Sequence, residues 1–344
     1  MTGGGPRTIL LTGASGVIGH ALLPELGGQR VICLVHRAAV DGHESVTGDV
    51  AQERFGLPAD EYRRLALEVD CVVHSAAITD WAAPKERLHE VNVGGTRNAL
   101  AFARDAGAPF YWLGTSFIRA VAPDAAAPID ESNVIVNYVR TKFECEELVE
   151  AASDVPSTIF RPTNLIGDSR TGEIAATQAP QLISEVICRG KLPLFPARPQ
   201  VRVDVVPQDV VARVVASAIE AEHVGERYWI TGGEEALSVG ETLDICVSFM
   251  ERLGRPIERP RIVHPDEIDD ELLAGLSPMS RMFFDRVLEL SEGQHACGIF
   301  PSSMDLLRER YDLPDFTWAG AFEHGLEFWA RSRGLLAEAG SGLT

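Results

Sequence analysis

The chain has 344 residues, 45% of them hydrophobic and 24% charged, with a formal net charge of −19. This acidic balance argues against nucleic acid or an anionic membrane as partner, and no apolar run is long enough for a membrane span, so we expect a cytoplasmic protein. The six cysteines include no CxxC pair, which excludes the usual zinc spacings and a disulfide framework, and we predict no metal site.

The first predicted element is a strand, a glycine-rich turn and a helix within residues 8–25 (TILLTGASGVIGHALLPE). Three glycines at three-residue intervals follow an apolar run and precede apolar residues at helical spacing. Such glycines make a tight turn, admit backbone N–H groups to a pyrophosphate and let the helix pack closely. A plain turn in an α/β protein is the alternative. The predicted cofactor contacts of this turn are Gly13, Ser15, Gly16, Val17, Ile18 and Gly19.

The second predicted strand, residues 30–35, ends at His36 and Arg37. At this position an acidic side chain would hydrogen-bond a ribose 2′-hydroxyl, whereas an arginine accommodates a 2′-phosphate. The first carboxylate after the strand is that of Asp41. We therefore predict NADP(H) as the cofactor, with His36 and Arg37 as contacts. NAD remains an alternative, as does a merely solvated Arg37.

Further candidate cofactor contacts follow three more predicted strands, at residues 45–50, 70–74 and 157–160. Asp49 is placed to accept a hydrogen bond from an adenine amino group. The small residues after the 70–74 strand would let the backbone lie close to the cofactor ribose, or they are helix-packing alanines. The candidates at these strand ends are Asp49, Val50, Ser75, Ala76, Ala77, Pro162, Thr163 and Asn164.

Strands alternate with helices up to residue 167, and polar residues follow the strand ends. This pattern predicts an α/β fold, a Rossmann doubly wound parallel sheet with its site at the carboxyl edge. Residues 1–167 would form an NADP-binding Rossmann domain, to which segments within about 201–232 return. Strands at 201–206 and 227–230 would extend its sheet.

Residues 168–200 and 233–344 would form a smaller, mostly helical C-terminal lobe that binds the substrate. We expect Asp209 to cap a helix that runs through residue 219, and Ser238 with Glu241 to form the capping box of the next helix. A helical lobe rich in Met and Phe between 266 and 302 suits a hydrophobic substrate pocket, although core packing explains most of these side chains. A terminal helix at 317–336 and a disordered tail would complete the chain.

Tyr138 and Lys142 stand four residues apart on one face of a predicted helix at 137–152. A nearby ammonium would lower the pKa of the phenol, making Tyr138 a general acid/base, and Lys142 could also hydrogen-bond the nicotinamide ribose. Ser116, at the end of a strand at 109–113, would hydrogen-bond the reacting carbonyl oxygen, or Thr115 would do so if the strand ends one residue earlier. Asn92 either holds a water or backbone group that serves the lysine or is a polar residue at a helix kink.

The motifs TGASGVIG, GDV, HSAA, NVGGT, LGTS, YVRTK and RPTN resemble, in order and approximate spacing, those of the extended short-chain dehydrogenase/reductases, over roughly residues 8–230. Three longer stretches are most similar to the thioester-reductase branch, which includes carboxylic acid reductase terminal domains and fatty acyl reductases: GDVAQERFGLP, VDCVVHSAAITDW and VDVVPQDVVA. The resemblance implies NADPH-driven reduction of a carrier- or CoA-bound acyl thioester to aldehyde or alcohol. Its Ser/Thr–Tyr–Lys triad falls on Ser116, Tyr138 and Lys142, and its phosphate-binding arginine usually sits at the position of His36.

Several alternatives remain open from the sequence. The substrate could be a free aldehyde, ketone or alcohol. A nucleotide-sugar epimerase or dehydratase of the same superfamily would place a diphosphate near Arg202, which could equally bind a pantetheine phosphate or form a surface ion pair. A non-catalytic NADP-binding protein is a third hypothesis. The helices around Val91 and Tyr138 could pair across a homodimer or face solvent.

Overall fold

The computed structural model describes residues 6–36 and 39–336, which contain thirteen strands and twelve α-helices. The strands are β1 (Thr8–Thr12), β2 (Arg30–Val35), β3 (Glu44–Thr47), β4 (Cys71–His74), β5 (Phe110–Leu113), β6 (Ser157–Pro162), β7 (Asn164–Ile166), β8 (Leu194–Pro196), β9 (Arg202–Val203), β10 (Val205–Pro207), β11 (Arg227–Ile230), β12 (Leu237–Ser238) and β13 (Arg261–Val263). The helices are α1 (Val17–Glu25), α2 (Ala59–Glu68), α3 (Lys85–Leu88), α4 (Gly95–Ala106), α5 (Val136–Ala151), α6 (Ala179–Cys188), α7 (Gln208–Glu220), α8 (Val239–Arg252), α9 (Asp270–Ala274), α10 (Pro278–Cys297), α11 (Met304–Arg310) and α12 (Trp318–Ser332).

Seven strands form one parallel sheet in the order β11-β6-β5-β4-β1-β2-β3. The predicted Rossmann-type α/β fold with a helical C-terminal region is therefore confirmed. The central strands are fully buried because helices cover both faces of the sheet. The chain order reverses between β1 and β4, so a crevice opens at the carboxyl ends of these two strands. Such crevices are where open α/β sheets bind their ligands.

The prediction that residues 201–206 return to this sheet is wrong, and β11 alone does so, beside β6. β9 pairs with β12 and β10 pairs with β7. Asp204 explains the detour, since its buried carboxylate accepts hydrogen bonds from the amides of Gly232 and Gly233, both at 2.9 Å. Its carbonyl accepts one from Thr163 at 3.0 Å. These bonds hold the segment across the ends of β6 and β11 instead of alongside them.

Asp209 does not cap α7, which is a second correction. The helix begins at Gln208, and the Asp209 carboxylate accepts hydrogen bonds from the backbone and side chain of Ser169, at 2.8 and 2.6 Å. The capping box of Ser238 and Glu241 at the start of α8 is confirmed. The first turn of α7 is therefore used to fix the loop after β7.

Helices α6, α8, α10 and α12 pack together beyond the carboxyl edge of the sheet, and α10 also packs on a 3₁₀ turn at Ser116–Ala120 that follows β5. No helix in the described part of the chain is long and apolar enough to cross a membrane. Within residues 6–36 and 39–336, no cluster of three or more His, Cys, Asp or Glu side chains could hold a metal ion. The helical lobe therefore lies next to the edge of the sheet at which polar residues follow the strands.

Candidate active site

The glycine turn after β1 brings two strand ends into direct backbone contact. Gly13 adopts a left-handed conformation with φ of +76°, and a Cβ atom there would lie 2.6 Å from the amide nitrogen of Ala76, just after β4. A Cβ atom on Gly19 would overlap the backbone of Gly13 and Ala14, so α1 can approach the turn closely only because this residue is glycine. Both glycines are therefore required by the shape of the turn.

The N-terminus of α1 suits the diphosphate of a dinucleotide. No side chain caps Gly16, the first turn contains no acidic residue, and Ser15 and Gly16 are exposed. Free N–H groups and the positive end of the helix dipole therefore face outward beside the glycine turn. These features of the chain fit a dinucleotide cofactor.

Buried hydrogen bonds tie β1, β4 and α4 together behind this turn. His74 contacts Thr12 through Nδ1 at 2.7 Å and Thr96 through Nε2 at 3.4 Å. Burial, helped by the nearby charge of Lys142, lowers the pKa of His74 to about 3. The imidazole is thus neutral at physiological pH and acts as a fixed structural link. Thr12 also accepts a hydrogen bond from the amide of Ala76 at 3.2 Å.

A cavity of about 780 Å³ lies at the carboxyl ends of β1, β4, β5 and β6, and we name it the sheet-edge cavity. It brings together predicted residues from five separate parts of the sequence. The predicted site residues that line it are Ile18, Ser75, Ala77, Thr115, Tyr138, Lys142, Pro162, Thr163 and Asn164. The predicted catalytic helix α5 and the predicted cofactor loops thus share one concave surface.

Tyr138 and Lys142 are both almost fully buried on α5, with 9% and 4% of their surfaces exposed. Lys142 Nζ donates a hydrogen bond to the carbonyl of Leu113 at 2.8 Å and lies 4.4 Å from the centre of the Trp112 ring. Burial lowers the pKa of Lys142. Leu113 is the last residue of β5, so this bond ties the α5 side chain to the strand end that carries Thr115.

From the sequence we expect the Lys142 ammonium to lower the pKa of Tyr138, but the shift in the structure has the opposite direction. Burial instead raises the pKa well above the usual value for a phenol, and the neighbouring Thr115 side chain offsets part of this shift. Desolvation disfavours the phenolate more strongly than any neighbouring group favours it. Tyr138 therefore holds its proton firmly at neutral pH, as a proton donor must.

The structure separates the two candidate hydroxyls after β5. Thr115 is extended, with φ of −156° and ψ of 149°, and lines the sheet-edge cavity, while its oxygen accepts a hydrogen bond from the Phe117 amide at 3.3 Å. Ser116 begins the 3₁₀ turn and is fully buried away from the cavity, and no polar group of the described residues hydrogen-bonds its Oγ. The geometry thus favours Thr115 over Ser116, because Thr115 lines the sheet-edge cavity and Ser116 is buried outside it.

Asn92 lies in a π-helical segment, His89–Gly94, between α3 and α4. Its side chain accepts a hydrogen bond from the Ile78 amide at 2.8 Å and donates to the Ile78 carbonyl at 3.1 Å and to Thr141 Oγ1 at 3.2 Å. Thr141 in turn donates to the Tyr138 carbonyl at 2.7 Å. Asn92 therefore positions both the loop after β4 and the helix that carries Tyr138, at the kind of helix irregularity that often marks functional sites.

The predicted adenine-end residues lie at the ends of β2 and β3. His36 is exposed, with its Nδ1 3.6 Å from the Asp49 carboxylate, and Asp49 also accepts a hydrogen bond from the Ala51 amide at 2.9 Å. The carbonyl of Val50 accepts one from the Asn98 side chain at 2.8 Å. Arg37, the other predicted phosphate contact, lies outside the described residues.

A second cavity of about 780 Å³ lies beneath the helical lobe, and we name it the apolar cavity. It shares Trp81, Phe117, Ile135 and Asn164 with the sheet-edge cavity, so the two spaces adjoin. Its wall is mostly aliphatic and aromatic. Arg202 also lines it, and no carboxylate among the described residues lies within 4.0 Å of this guanidinium. The polar side chains of the sheet-edge cavity therefore lie next to an apolar space.

An open groove of about 2390 Å³ leads outward from these cavities along α6 and α10. Met279 and Met282 line it and are more than half exposed. Basic side chains are also on its wall, namely Arg189, Lys191, Arg286 and Arg333, among acidic ones. Three of these basic side chains form ion pairs with acidic side chains of the same groove, Arg189 and Arg333 with Glu185 and Arg286 with Glu289. The groove is therefore partly apolar, and its charges are largely balanced.

Sequence reasoning missed Trp81, Gln178 and Asp204, which line one or more of these cavities. Trp81 and Gln178 lie in irregular segments, where no periodicity indicates which way a side chain faces. Asp204 did leave a signal, since it is a lone carboxylate within the apolar run VRVDVV. It is 1% exposed, and burial raises its pKa to about 6.

Comparison with known proteins gives a consistent result. The NAD-binding family described as "Male sterility protein" matches residues 34–215, more than half of the chain. Glycine betaine reductase ATRR of Emericella nidulans is 25% identical over 293 residues, which are 73% of this chain and 22% of that protein. L-2-aminoadipate reductase of Schizosaccharomyces pombe is 29% identical over 268 residues, which are 63% of this chain and 18% of that protein.

A solved structure, the terminal R domain from the myxalamid PKS-NRPS biosynthetic pathway, is 25% identical with a TM-score of 0.73. The match covers 98% of this chain and 93% of that one. The chain spans less than a quarter of the length of the curated relatives it matches. By the family match and the fold, it belongs to the male sterility protein family, within the thioester-reductase branch of the extended short-chain dehydrogenase/reductases.

Proposed function

We propose that the protein is an NADPH-dependent reductase of acyl thioesters, with Thr115, Tyr138 and Lys142 as its catalytic residues. The observation that carries the proposal is that these three side chains line one cavity, beside an uncapped helix N-terminus and next to an apolar compartment. This arrangement has a place for a dinucleotide, a proton donor and a hydrophobic acyl group. A free aldehyde or ketone would fit the same reaction centre.

The proton chemistry follows from the environment of the side chains. When bound, the cofactor supplies a hydride to the carbonyl carbon of the substrate. Tyr138 donates its phenolic proton to the carbonyl oxygen, a step for which its burial keeps the proton in place. The resulting thiohemiacetal then collapses to the aldehyde: its C–S bond breaks, and the thiol of the carrier or CoA leaves with the hydroxyl proton. The oxygen of Thr115 is occupied as an acceptor by the Phe117 amide, which leaves its O–H to hydrogen-bond the developing oxyanion. Lys142 fixes the strand end and hydrogen-bonds the ribose.

Preference for NADPH is the finer part of the proposal. His36, an exposed imidazole, directly follows β2, at the position where an NAD enzyme would have a carboxylate to bind the 2′-hydroxyl. The neighbouring Asp49 carboxylate accepts a hydrogen bond from the Ala51 amide and lies beside His36. An imidazole in place of that carboxylate, with Arg37 next in sequence, favours a 2′-phosphate.

Delivery of the acyl group by a carrier is supported by the open groove. Its exposed methionines suit an apolar contact with a carrier protein or with the arm that bears the acyl group. The similar myxalamid domain is the terminal R domain of a PKS-NRPS pathway, by its title. We propose by analogy that the substrate of this chain is also a tethered acyl thioester.

One observation favours a second function, epimerisation or dehydration of a nucleotide sugar. The Arg202 guanidinium lines the apolar cavity with no carboxylate of the described residues within 4.0 Å, and a diphosphate site needs such a cation. The rest of that cavity is strongly apolar, which suits a sugar poorly. Tightly retained NAD+ and turnover of UDP-sugars would support this alternative.

The test is the rate of NADPH and NADH oxidation with acyl-CoA thioesters, aldehydes and ketones, for the wild type and for Tyr138→Phe. We expect thioester-dependent NADPH oxidation that falls by at least about 100-fold in the variant, while NADPH affinity stays unchanged. Tyr62→Phe is the matched control, since Tyr62 is also buried but its hydroxyl donates to Asp105 far from the cavity. Undiminished turnover in Tyr138→Phe would refute the assignment. NADPH binding without turnover of any carbonyl compound would favour a non-catalytic binding protein.

A further inference from the structure

Arg202 is a half-buried cation in the wall of the apolar cavity. Among the described residues it is the one lysine or arginine that lines this cavity. Its strand, β9, pairs antiparallel with β12, which places Arg202 opposite Ser238 at the start of α8. Arg202 lines neither the sheet-edge cavity nor the open groove. The positive charge therefore belongs to the apolar cavity alone.

The guanidinium of Arg202 has no partner within residues 6–36 and 39–336. No carboxylate there lies within 4.0 Å of it, and none of its N–H groups donates a hydrogen bond to these residues. Hydrogen bonds from Ser238, and to a smaller extent the charge of Arg202, lower the pKa of Glu241. The Glu241 carboxylate accepts these bonds from the Ser238 hydroxyl and amide, at 2.7 and 2.8 Å, rather than from Arg202. The N–H donors of Arg202 are thus available to a ligand.

Asp204, the acidic residue of the same cavity wall, does not neutralise Arg202. Its carboxylate is 1% exposed and accepts hydrogen bonds from the amides of Gly232 and Gly233, both at 2.9 Å. It also lies more than 4.0 Å from the guanidinium. An arginine beside apolar walls attracts an anion more strongly than one surrounded by water, because the walls screen the charge poorly. The cavity therefore favours a ligand with a negative charge at Arg202.

The position of the apolar cavity indicates which part of a substrate would carry that charge. The cavity adjoins the sheet-edge cavity, which contains Tyr138, through Trp81 and Phe117, and most of its other wall residues are aliphatic or aromatic. A chain that extends from Tyr138 to Arg202 would therefore place methylene groups against apolar walls and an anion at its far end. The arm on the other side of a thioester carbonyl has its own route along the open groove, which Arg202 does not line.

We propose that Arg202 is a substrate-binding residue that pairs with a carboxylate at the far end of the acyl chain. This inference rests on the proposed function for the thioester group. The substrate class is a monothioester of a dicarboxylic acid, whose thioester carbonyl lies at Tyr138 and whose free carboxylate lies at Arg202. A planar guanidinium binds a carboxylate through two parallel hydrogen bonds. A neutral chain of the same length leaves the cation without a partner, and this difference is the source of the selectivity.

The first measurement is turnover with N-acetylcysteamine monothioesters of adipic, pimelic and suberic acids and with the thioesters of hexanoic, heptanoic and octanoic acids. In the wild type we expect kcat/KM for one dicarboxylic compound to exceed that for the neutral chain of equal length by about 10- to 100-fold. Arg202→Gln should abolish this preference, and Arg202→Lys should keep part of it. Arg198→Gln is the matched control and should retain the preference, because Arg198 does not line the cavity and pairs with Glu292 at 3.1 Å.

The second measurement separates this inference from the proposed function. Calorimetric binding of the same six compounds without cofactor requires no turnover, so it reports on the cavity even if the enzyme catalyses another reaction. Tighter binding of a dicarboxylic compound that is lost in Arg202→Gln supports the inference, whether or not turnover follows. Equal dissociation constants for charged and neutral chains, or no binding of any compound, would overturn it.

Two controls test other roles for Arg202. Binding of 4′-phosphopantetheine or UDP that weakens in Arg202→Gln, while charged and neutral chains bind equally, would overturn the inference and assign the arginine to a phosphate. Because Arg202→Gln removes a cation without a partner among the described residues, its urea midpoint should not fall. A clear fall would show that the guanidinium has a structural role, and this would also overturn the inference.

Discussion

Replacing Asp204 by asparagine should change how the stability of the protein depends on pH. The carboxylate of Asp204 is 1% exposed and accepts hydrogen bonds from Gly232 and Gly233, yet burial outweighs these bonds and raises its pKa from 3.8 to about 6. Asparagine is neutral at every pH and nearly the same size. The variant therefore removes one titration and keeps the size of the side chain. Its amide nitrogen cannot accept the second of the two glycine hydrogen bonds, and this adds a loss of stability that does not depend on pH.

The sign and size of the effect follow from linkage. Between pH 4 and 6 the folded state binds a proton at Asp204 that the unfolded state has released, so the wild type loses stability as the pH rises through this window. At about 1.4 kcal/mol per pKa unit, the free energy of unfolding of wild type minus that of Asp204→Asn should fall by up to about 3 kcal/mol from pH 3.5 to pH 7.

The assay is urea unfolding followed by tryptophan fluorescence, at half-unit steps from pH 3.5 to pH 7.5, for both proteins. Asp130→Asn is a control of opposite sign, because hydrogen bonds from Ser132 lower the pKa of Asp130. The stability that Asp130 contributes is present at neutral pH and is lost as the pH falls. A wild-type minus Asp204→Asn difference that is flat, or that rises with pH, would refute the claim that burial controls the titration of Asp204.

Two further substitutions test the site. Lys142→Met should lower turnover by at least about 100-fold and leave the urea midpoint unchanged or higher, because burial already destabilises the charged ammonium group. Steady-state rates measure the first effect and urea unfolding measures the second. Full activity together with a lowered urea midpoint would contradict this prediction. Gly13→Ala should lower the free energy of unfolding by about 1–3 kcal/mol and weaken NADPH binding, because residue 13 has a left-handed φ and the new Cβ atom would overlap the backbone of Ala76. Thermal unfolding and cofactor titration measure these two effects. Gly28→Ala is the control and should be tolerated, because no atom lies within 4 Å of the new Cβ atom.

Local patterns made much of this fold predictable. The strand, glycine turn and helix of residues 8–25 depend on neighbouring residues, and Tyr138 with Lys142 share a helix face at any orientation of that helix. The positions of β2 and α8 followed from an apolar run and a capping box for the same reason. These features are set within a few residues of sequence.

The features of the fold and the site that the sequence did not predict depend on contacts between segments that are far apart in the chain. Thr115 and Ser116 differ by one position, and the choice between them rests on where β5 stops and the 3₁₀ turn begins. Residues 201–206 have an apolar strand pattern, but the bonds of Asp204 to a loop 28 residues later decide where they pair.

The long helix α10 has a consequence for how selectivity can diverge among relatives. Pro278–Cys297 forms part of the wall of the apolar cavity, but it lies beyond residues 34–215, by which the family is recognised. Substitutions on this helix can change the shape of that cavity while the residues that line the sheet-edge cavity stay the same. A match to the family over residues 34–215 therefore says nothing about the shape of the apolar cavity on its α10 side.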